Sequence, residues 1–297
     1  MRIGIDIGGT KISGVALGDD GVTLANYITR VPNDYNQMLF QISHIASLLE
    51  INSQSKSRSI GISMAGEIDQ TGSIIKSVNL PWCTGKSMLS DLENIIVDKP
   101  IAISNDADCF ALSESFDGAA TRFNLVFGVV IGTGVGGAIV ADGRIINGHH
   151  AINGEWGHTP LPWKNSDEGQ IQSCYCGKLD CIETWINGSA LSRDYVLFSG
   201  EEADPPTIVK RSLEGQHFAN IVIQRYHHRL ARALSLIIKT LNPEVIVIGG
   251  GLSEIVSIFE EVPLLIKELL QLENSATKIV RAKHGPNSGM RGAARLI

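Results

Sequence analysis

A chain of 297 residues with 43% apolar content can bury more than one core without help from disulfides or a metal. Its formal net charge of −6 offers no basic surface for DNA or RNA, so nucleic acid is not expected as a partner. The N-terminus enters an apolar strand with no basic segment and h-region ahead of it, and no apolar run approaches the length of a membrane span. The expectation is a cytoplasmic protein with no membrane partner.

Residues 2–7 read as a strand that runs into Asp6-Ile7-Gly8-Gly9-Thr10-Lys11. Glycine lets backbone N–H groups approach phosphate oxygens, Thr10 and Lys11 add donors, and Asp6 at the strand end suits Mg2+, held directly or through water. Taken alone, the glycine pair fits a plain hairpin turn better than a ligand site. Strands over about 11–18 and 22–30 complete a meander, and Met38, Leu39, Ile42, Ile45, Ala46 and Leu49 recur at helical spacing within 35–49. A strand at 59–63, turn-rich polar sequence through Thr84, a helix near 88–96 and a short strand at 101–104 follow. That strand ends in Asn105-Asp106, ahead of a helix over 107–116. Asp106 therefore stands at or near an N-cap, where it is either an ordinary capping residue or a general base that accepts the proton of a hydroxyl attacking a γ-phosphate. Asn105 beside it is placed to donate to a neighbouring hydroxyl.

From Leu125 the order begins again. An apolar run over 125–131 meets Gly132-Thr133-Gly134-Val135-Gly136-Gly137, then a second run and Asp142-Gly143, as the first turn leads to Asp19-Asp20-Gly21. The echo suggests two related halves facing one ligand. Neither turn is a Walker loop, because no Gly-Lys-Ser/Thr follows, and neither is a clear dinucleotide fingerprint, because each leads into a β-rich run where a helix would be needed.

Three of the five cysteines crowd into Cys174-Tyr175-Cys176-Gly177-Lys178-Leu179-Asp180-Cys181. In a reducing compartment such density points to metal rather than disulfide, and a tetrahedral zinc needs a fourth ligand. His158 in Gly154-Glu155-Trp156-Gly157-His158 is the preferred candidate, ahead of His149 and His150, while Cys83 and Cys109 read as core residues. Glu155 and Glu183 flank the metal loop, so a folded zinc knot would fix both carboxylates. A long helix over 218–241, with two apolar faces, reads as core alone in preference to core plus subunit contact. It leads to a strand at 244–248 closed by Gly249-Gly250-Gly251. The pattern indicates mixed α/β sheets, one per lobe, with ligands at the carboxyl ends of the strands and a boundary near 117–122.

Together the first glycine turn, Asn105-Asp106-Ala107, the second glycine turn, Glu155-Trp156-Gly157-His158, the cysteine segment with Ile182-Glu183, and Gly249-Gly250-Gly251 resemble the ROK family of repressors, open reading frames and sugar kinases, in order along nearly the whole chain. The resemblance implies a two-lobed, actin-like ATPase (ribonuclease H-like) α/β fold with mixed sheets and an interlobe cleft. Its small lobe would span 1–118 plus a C-terminal helix at about 287–297, and its large lobe 119–286 would carry the zinc loop. It implies ATP and Mg2+ held by Gly4, Ile5, Asp6, Ile7, Gly8, Gly9, Thr10 and Lys11, by Gly132, Thr133, Gly134, Val135, Gly136 and Gly137, and by Gly249, Gly250 and Gly251. Asp106 becomes the catalytic base, with Asn105, Glu155, His158 and Glu183 as sugar ligands or their close neighbours. His158, Cys174, Cys176 and Cys181 become the ligands of a zinc that is structural, since four protein ligands leave no open position. One departure is Asp180, which stands where the family usually has glycine and puts the local turn geometry in question.

The implied reaction is transfer of the ATP γ-phosphate to the 6-hydroxyl of a hexose, in a homodimer. Asp6 lies so near the start that a helix-turn-helix repressor domain is not expected ahead of it. The segment 154–163 with 174–178 is most similar to bacterial fructokinases with mannokinase activity, and Trp156 and Trp163 would narrow a pocket against an acetamide. Fructose or mannose is thus the expected substrate. The alternative is N-acetylglucosamine or N-acetylmannosamine, whose kinases Asn79-Leu80-Pro81-Trp82 with Gly85-Lys86 also resemble, and the alternative of another class is a catalytically silent sugar sensor.

Overall fold

The computed structural model describes residues 1–149, 154–165, 168–271 and 277–297. His150 lies outside the described residues. The chain forms two compact units, one of Met1–Arg122, Ala138–Asn153 and Lys283–Ile297, the other of Phe123–Gly137 and Gly154–Ala282.

The first unit opens with the meander β1 (Arg2–Ile7), β2 (Lys11–Leu17) and β3 (Thr23–Arg30), followed by α1 (Tyr35–Ser53), β4 (Ile60–Met64), the small hairpin β5 (Glu67–Ile68) and β6 (Ile74–Lys76), α2 (Met88–Ile95), β7 (Ile101–Asn105) and α3 (Asp106–Phe116). Its sheet runs β3-β2-β1-β4-β7, with β2 antiparallel to β1 and β3 and with β4 parallel to β1 and β7. The central strands are apolar on both faces, as a doubly covered sheet requires, whereas the edge strand β3 alternates exposed and half-buried residues. Helix α1 starts where the Asp34 carboxylate accepts from Gln37 N at 2.8 Å, and it buries Met38, Leu39, Ile42, Ile45, Ala46 and Leu49 at the predicted spacing.

The other half repeats this topology. Strands β8 (Leu125–Ile131), β9 (Val135–Ala141) and β10 (Arg144–Ile145) precede α4 (Glu183–Ile186), α5 (Gly188–Ser199), α6 (Pro205–Leu213), α7 (His217–Leu241), β11 (Val245–Gly249), α8 (Ile258–Leu270) and β12 (Lys278–Arg281). The order β10-β9-β8-β11-β12 matches the first sheet position for position, so the echo of the glycine turns reflects a duplicated sheet. Helix α7 buries residues all round its circumference, from Ala219 to Ile238, and both of its apolar faces are covered within its own unit. The helices α5, α6 and α8 and the strand β12 had no counterpart in the sequence reading.

The chain returns to the first unit as α9 (Ser288–Ala293), whose seat depends on missing side chains. A Cβ on Gly4 would lie 1.8 Å from Met290 O, one on Gly61 1.7 Å from Ala293 O, and one on Gly292 1.7 Å from Cys109 O. Backbone therefore presses on backbone where β1, β4 and α3 meet α9. Gly4 is a packing residue at this contact, and Ile5 and Ile7 are wholly buried core.

Candidate active site and metal centre

The turn between β1 and β2 is closed by Gly8 N donating to Lys11 O at 3.0 Å, leaving Gly9, Thr10 and Lys11 exposed. Asp6, just before it, is half-buried and accepts from Ser63 Oγ at 2.6 Å. Gly289 of α9 approaches so closely that a Cβ there would sit 2.7 Å from Asp6 Oδ1. Burial raises the pKa of Asp6, against the opposing Ser63 hydrogen bond and the Lys11 charge, the environment of a carboxylate suited to a cation.

At the carboxyl end of β7, the N-cap of α3 is Asn105, not Asp106. The Asn105 Oδ1 accepts from Ala107 N at 2.7 Å and its Nδ2 donates to Gly66 O at 2.9 Å. The Asn105 amide thus holds the turn, while Asp106, the first residue of the helix, presents an exposed carboxylate. The same Ala107 N also donates to Asp106 Oδ1 at 3.0 Å, so both side chains meet the first turn of the helix while Asn105 is its cap.

In the second unit the turn between β8 and β9 is fixed from three sides. Gly132 N donates to Gly134 O at 3.0 Å, Gly188 N to Gly132 O at 2.9 Å, and Asn187 Nδ2 to Thr133 O at 3.2 Å. Glu183 is buried, and its Oε2 accepts from Val135 N at 2.9 Å. This carboxylate braces the glycine turn directly, and a Cβ on Gly134 would crowd the same oxygen at 2.9 Å. Under the turn Trp156 is buried, its Nε1 donating to Gly136 O at 3.0 Å and its ring meeting Phe127 edge-on, while a Cβ on Gly137 would strike the indole. Trp156 is therefore part of the core, which corrects the pocket-narrowing role expected for it; Trp163 is half-exposed, with Lys239 Nζ 4.8 Å from its ring centroid.

A cavity of about 840 Å³ joins Gly132 and Thr133 to Gly251, and to the N-terminal end of α5 through Gly188, Ser189 and Ser192. Its other walls are Pro205, Pro206 and Val209 of α6, with Leu252, Glu254 and Ile255 beyond β11. Glycine N–H groups and a helix N-terminus suit phosphate, and the apolar walls suit a flat ring. The sequence reading missed these walls, although Asp204-Pro205, now seen as N-cap and first helical residue of α6, is a helix-start signal. Gly249 is buried inside β11. Gly250 has φ 84°, and a Cβ on it would lie 2.3 Å from Ile131 O. Only Gly251 of the three glycines lines the cavity.

The ligand atoms of His158, Cys174, Cys176 and Cys181 all lie within 4.8 Å of one another. Cys176 Sγ and Cys181 Sγ are 3.6 Å apart, and Cys174 Sγ is 3.4 Å from His158 Nδ1. A tetrahedral zinc with Zn–S of about 2.3 Å and Zn–N of about 2.0 Å sets these separations at about 3.8 and 3.5 Å, so the donor set fits the ion. The other ring nitrogen, His158 Nε2, lies 2.9 Å from Tyr175 Oη and 3.8 Å from Glu155 Oε2, an outer partner of the kind that fixes a ligating imidazole. His149 is not part of the group.

Local geometry explains the motif glycine and the unusual aspartate. A Cβ on Gly157 would lie 2.3 Å from Val135 O, so only glycine lets the Glu155–His158 turn close onto β9. Asp180 adopts φ 56°, the left-handed conformation that glycine takes without strain. Its side chain offsets the cost by accepting from Gln172 N at 2.9 Å and Lys164 Nζ at 2.8 Å, so the turn survives the replacement. Behind the loop, buried Glu168 pairs with Arg229 at 2.5 Å and with Arg232, which donates to Trp163 O at 2.7 Å. Removing one partner of such a buried cluster costs about 3–5 kcal/mol, enough to anchor the segment to α7.

The ROK family model matches residues 2–297, essentially the whole length over which these features are spread. The chain belongs to the ROK family. It is 34% identical to an N-acetyl-D-glucosamine kinase of Vibrio parahaemolyticus over 301 aligned positions, covering 100% of this chain and 99% of the relative. An N-acetyl-D-glucosamine kinase of Salmonella typhimurium is also 34% identical, with the same coverage. Among solved structures, the ROK hexokinase of Thermus thermophilus superposes with a TM-score of 0.87 at 26% identity, covering 99% of this chain and 96% of that one. A ROK family glucokinase from Streptomyces griseus, solved with glucose and AMPPNP, gives a TM-score of 0.78 at 22% identity, covering 99% and 98%. This ROK protein accordingly has the actin-like ATPase fold with mixed sheets, and no helix among its described residues is long and apolar enough to cross a membrane.

Proposed function

We propose that this ROK protein is an ATP-dependent hexose kinase whose sugar is an N-acetylhexosamine, first of all N-acetylglucosamine. The observation that carries the choice of sugar is the whole-length similarity to proteins named N-acetyl-D-glucosamine kinase. The burial of Trp156 beneath the second glycine turn supports it, because fructose or mannose loses one of the two rings that were expected to exclude an acetamide.

Asp106 accepts the proton of the sugar 6-hydroxyl as that oxygen attacks the γ-phosphorus. The bond from γ-phosphorus to the β–γ bridging oxygen breaks and ADP leaves. Asn105, committed to Ala107 and Gly66, holds Asp106 at the first turn of α3. Thr133, Gly132 and the start of α5 receive phosphate oxygens, the apolar walls of the 840 Å³ cavity take the base, and Ser189, Ser192 and Glu254 offer partners to ribose hydroxyls. Magnesium, when bound, neutralises charge on the phosphates, and Asp6 is the residue that would hold it. Zinc on His158, Cys174, Cys176 and Cys181 would set the position of Glu155 and, two residues past Cys181, of Glu183. Glu155 is assigned to the sugar, with His158 as its close neighbour.

A coupled ADP-release assay over N-acetylglucosamine, N-acetylmannosamine, glucose, fructose and mannose tests the reading. Turnover confined to fructose or mannose overturns the sugar assignment. Absence of turnover with every hexose, in protein that binds sugar, overturns the enzyme assignment in favour of a sensor.

A further inference from the structure

In the first unit, away from the glycine turn, the start of β1, the end of β2 and the segment after α9 enclose a cavity of about 330 Å³ lined by Arg2, Asp19, Arg58, Phe116, Arg295 and Ile297. Arg2 donates to Ile297 O and to Asp19 Oδ1, each at 3.1 Å, and Arg58 pairs with the same Asp19 oxygen. Arg295 is different: its side chain is 5% exposed, and neither Nε nor Nη2 has a hydrogen-bond partner among the described residues. Its nearest carboxylate oxygen, Asp117 Oδ2, lies 3.9 Å away and is already bonded at 2.6 Å to Arg291, while its guanidinium stacks 3.8 Å from the Phe116 ring centroid.

Four guanidinium groups, Arg2, Arg58, Arg291 and Arg295, therefore face two side-chain carboxylates, Asp19 and Asp117. A carboxylate on the Ile297 main chain would still leave positive charge in excess. Burial lowers the Arg295 pKa, and Arg2 and Arg291 add to that effect against the opposing pull of Asp117 and Asp19. A water molecule satisfies an orphan donor but leaves the charge uncompensated, whereas an oxyanion does both. Planar guanidinium forks match the edge of a tetrahedral oxyanion, and the cavity stands at the small end of the range for ligand sites.

From this geometry we propose that the Arg2, Arg58 and Arg295 cavity binds a phosphate group, either as free phosphate or as the terminal group of a small phosphomonoester. Arg295 supplies the buried charge, and Arg2 and Arg58 close over the anion from the rim, with Asp19 holding them in place.

Isothermal titration of the full chain with inorganic phosphate and with a hexose 6-phosphate, against chloride of matched ionic strength, tests this. Arg58 is mostly exposed and outside the catalytic machinery, so Arg58→Ala folds and retains basal kinase activity while weakening phosphate about tenfold, and Arg295→Met removes the site. Stronger binding of the hexose phosphate in wild type, weakened about tenfold in Arg58→Ala and abolished in Arg295→Met, assigns a phosphomonoester; equal binding of the two that falls in the same way assigns free phosphate. Phosphate that binds Arg58→Ala and Arg2→Ala as tightly as wild type is seated at the glycine turns instead, and the proposal fails. It fails equally if wild type takes up no phosphate beyond the chloride control.

Discussion

Replacing Gly157 by alanine tests whether the turn that carries Glu155 and His158 is held by backbone contact against β9. The new Cβ would lie 2.3 Å from Val135 O and 3.3 Å from Val135 Cβ. A carbon–oxygen contact needs about 3.0–3.2 Å, so the two backbones must separate by about 0.7–0.9 Å. Neither has slack. Thr159 N is bonded to Trp156 O at 3.1 Å and Ile182 N to Thr159 O at 2.8 Å, while Val135 N is held by Glu183. Overpacking of this kind costs about 1–3 kcal/mol, and at about 2–4 °C per kcal/mol the melting temperature should fall by several degrees. Metal coordination tolerates about 0.2 Å, so His158 cannot follow the displacement and keep its bond, and zinc affinity should drop by about 10–100-fold. A misplacement near 1 Å also costs turnover about 10²-fold. Differential scanning calorimetry, zinc retention against a chelator and ADP release read the three effects separately. If Gly157→Ala melts with wild type, keeps its zinc under chelation and turns over at the wild-type rate, the contact with Val135 does not set the site.

Asp106→Asn should lower kcat by about 10²–10⁴ with ATP binding little changed, measured by steady-state kinetics and nucleotide titration; full activity would remove Asp106 as the base. Metal analysis should find about one zinc per chain, and Cys176→Ser should lose it together with sugar affinity, whereas a zinc-free, fully active protein would end the structural role. His227, buried in α7 beside Ser257, has its pKa lowered to about 4 by burial, with the His228 charge contributing. Because the folded pKa lies below the unfolded value of about 6.5, the contribution is fully present above that pH and is lost as pH falls toward 4, amounting to about 2 kcal/mol by pH 5. Melting curves from pH 7.5 to 5 should therefore fall more steeply for wild type than for His227→Gln, and parallel curves would show that His227 is not held neutral.

What the sequence disclosed and what it withheld divide along physical lines. Both sheets were legible because their central strands are apolar runs ended by glycine turns, a local signal that occurs twice and gives the same strand order twice. The metal group was legible because three of its four ligands lie on one loop. The walls of the nucleotide-sized cavity were not, because Pro205 and Val209 meet Leu252 and Ile255 only after the chain has passed through α7 and β11. Trp156 misled for a similar reason: its neighbours in sequence are site residues, but its ring fills space under Gly137, which no local pattern records. Glu183 shows the difference most sharply. Its position beside Cys181 suggested a carboxylate fixed by the metal loop for the sugar, and the fold adds a partner distant in sequence, Val135 N. Thr184 N donates to Cys181 O at 2.9 Å, so the last metal ligand and this carboxylate move as one turn. A shift of the cysteine loop then reaches the second glycine turn through the hydrogen bond between Glu183 and Val135, alongside the bonds that Asn187 and Gly188 make to the same turn. Order at the metal centre and order at the phosphate turn are coupled by these bonds, and loss of one should be measurable as loosening of the other.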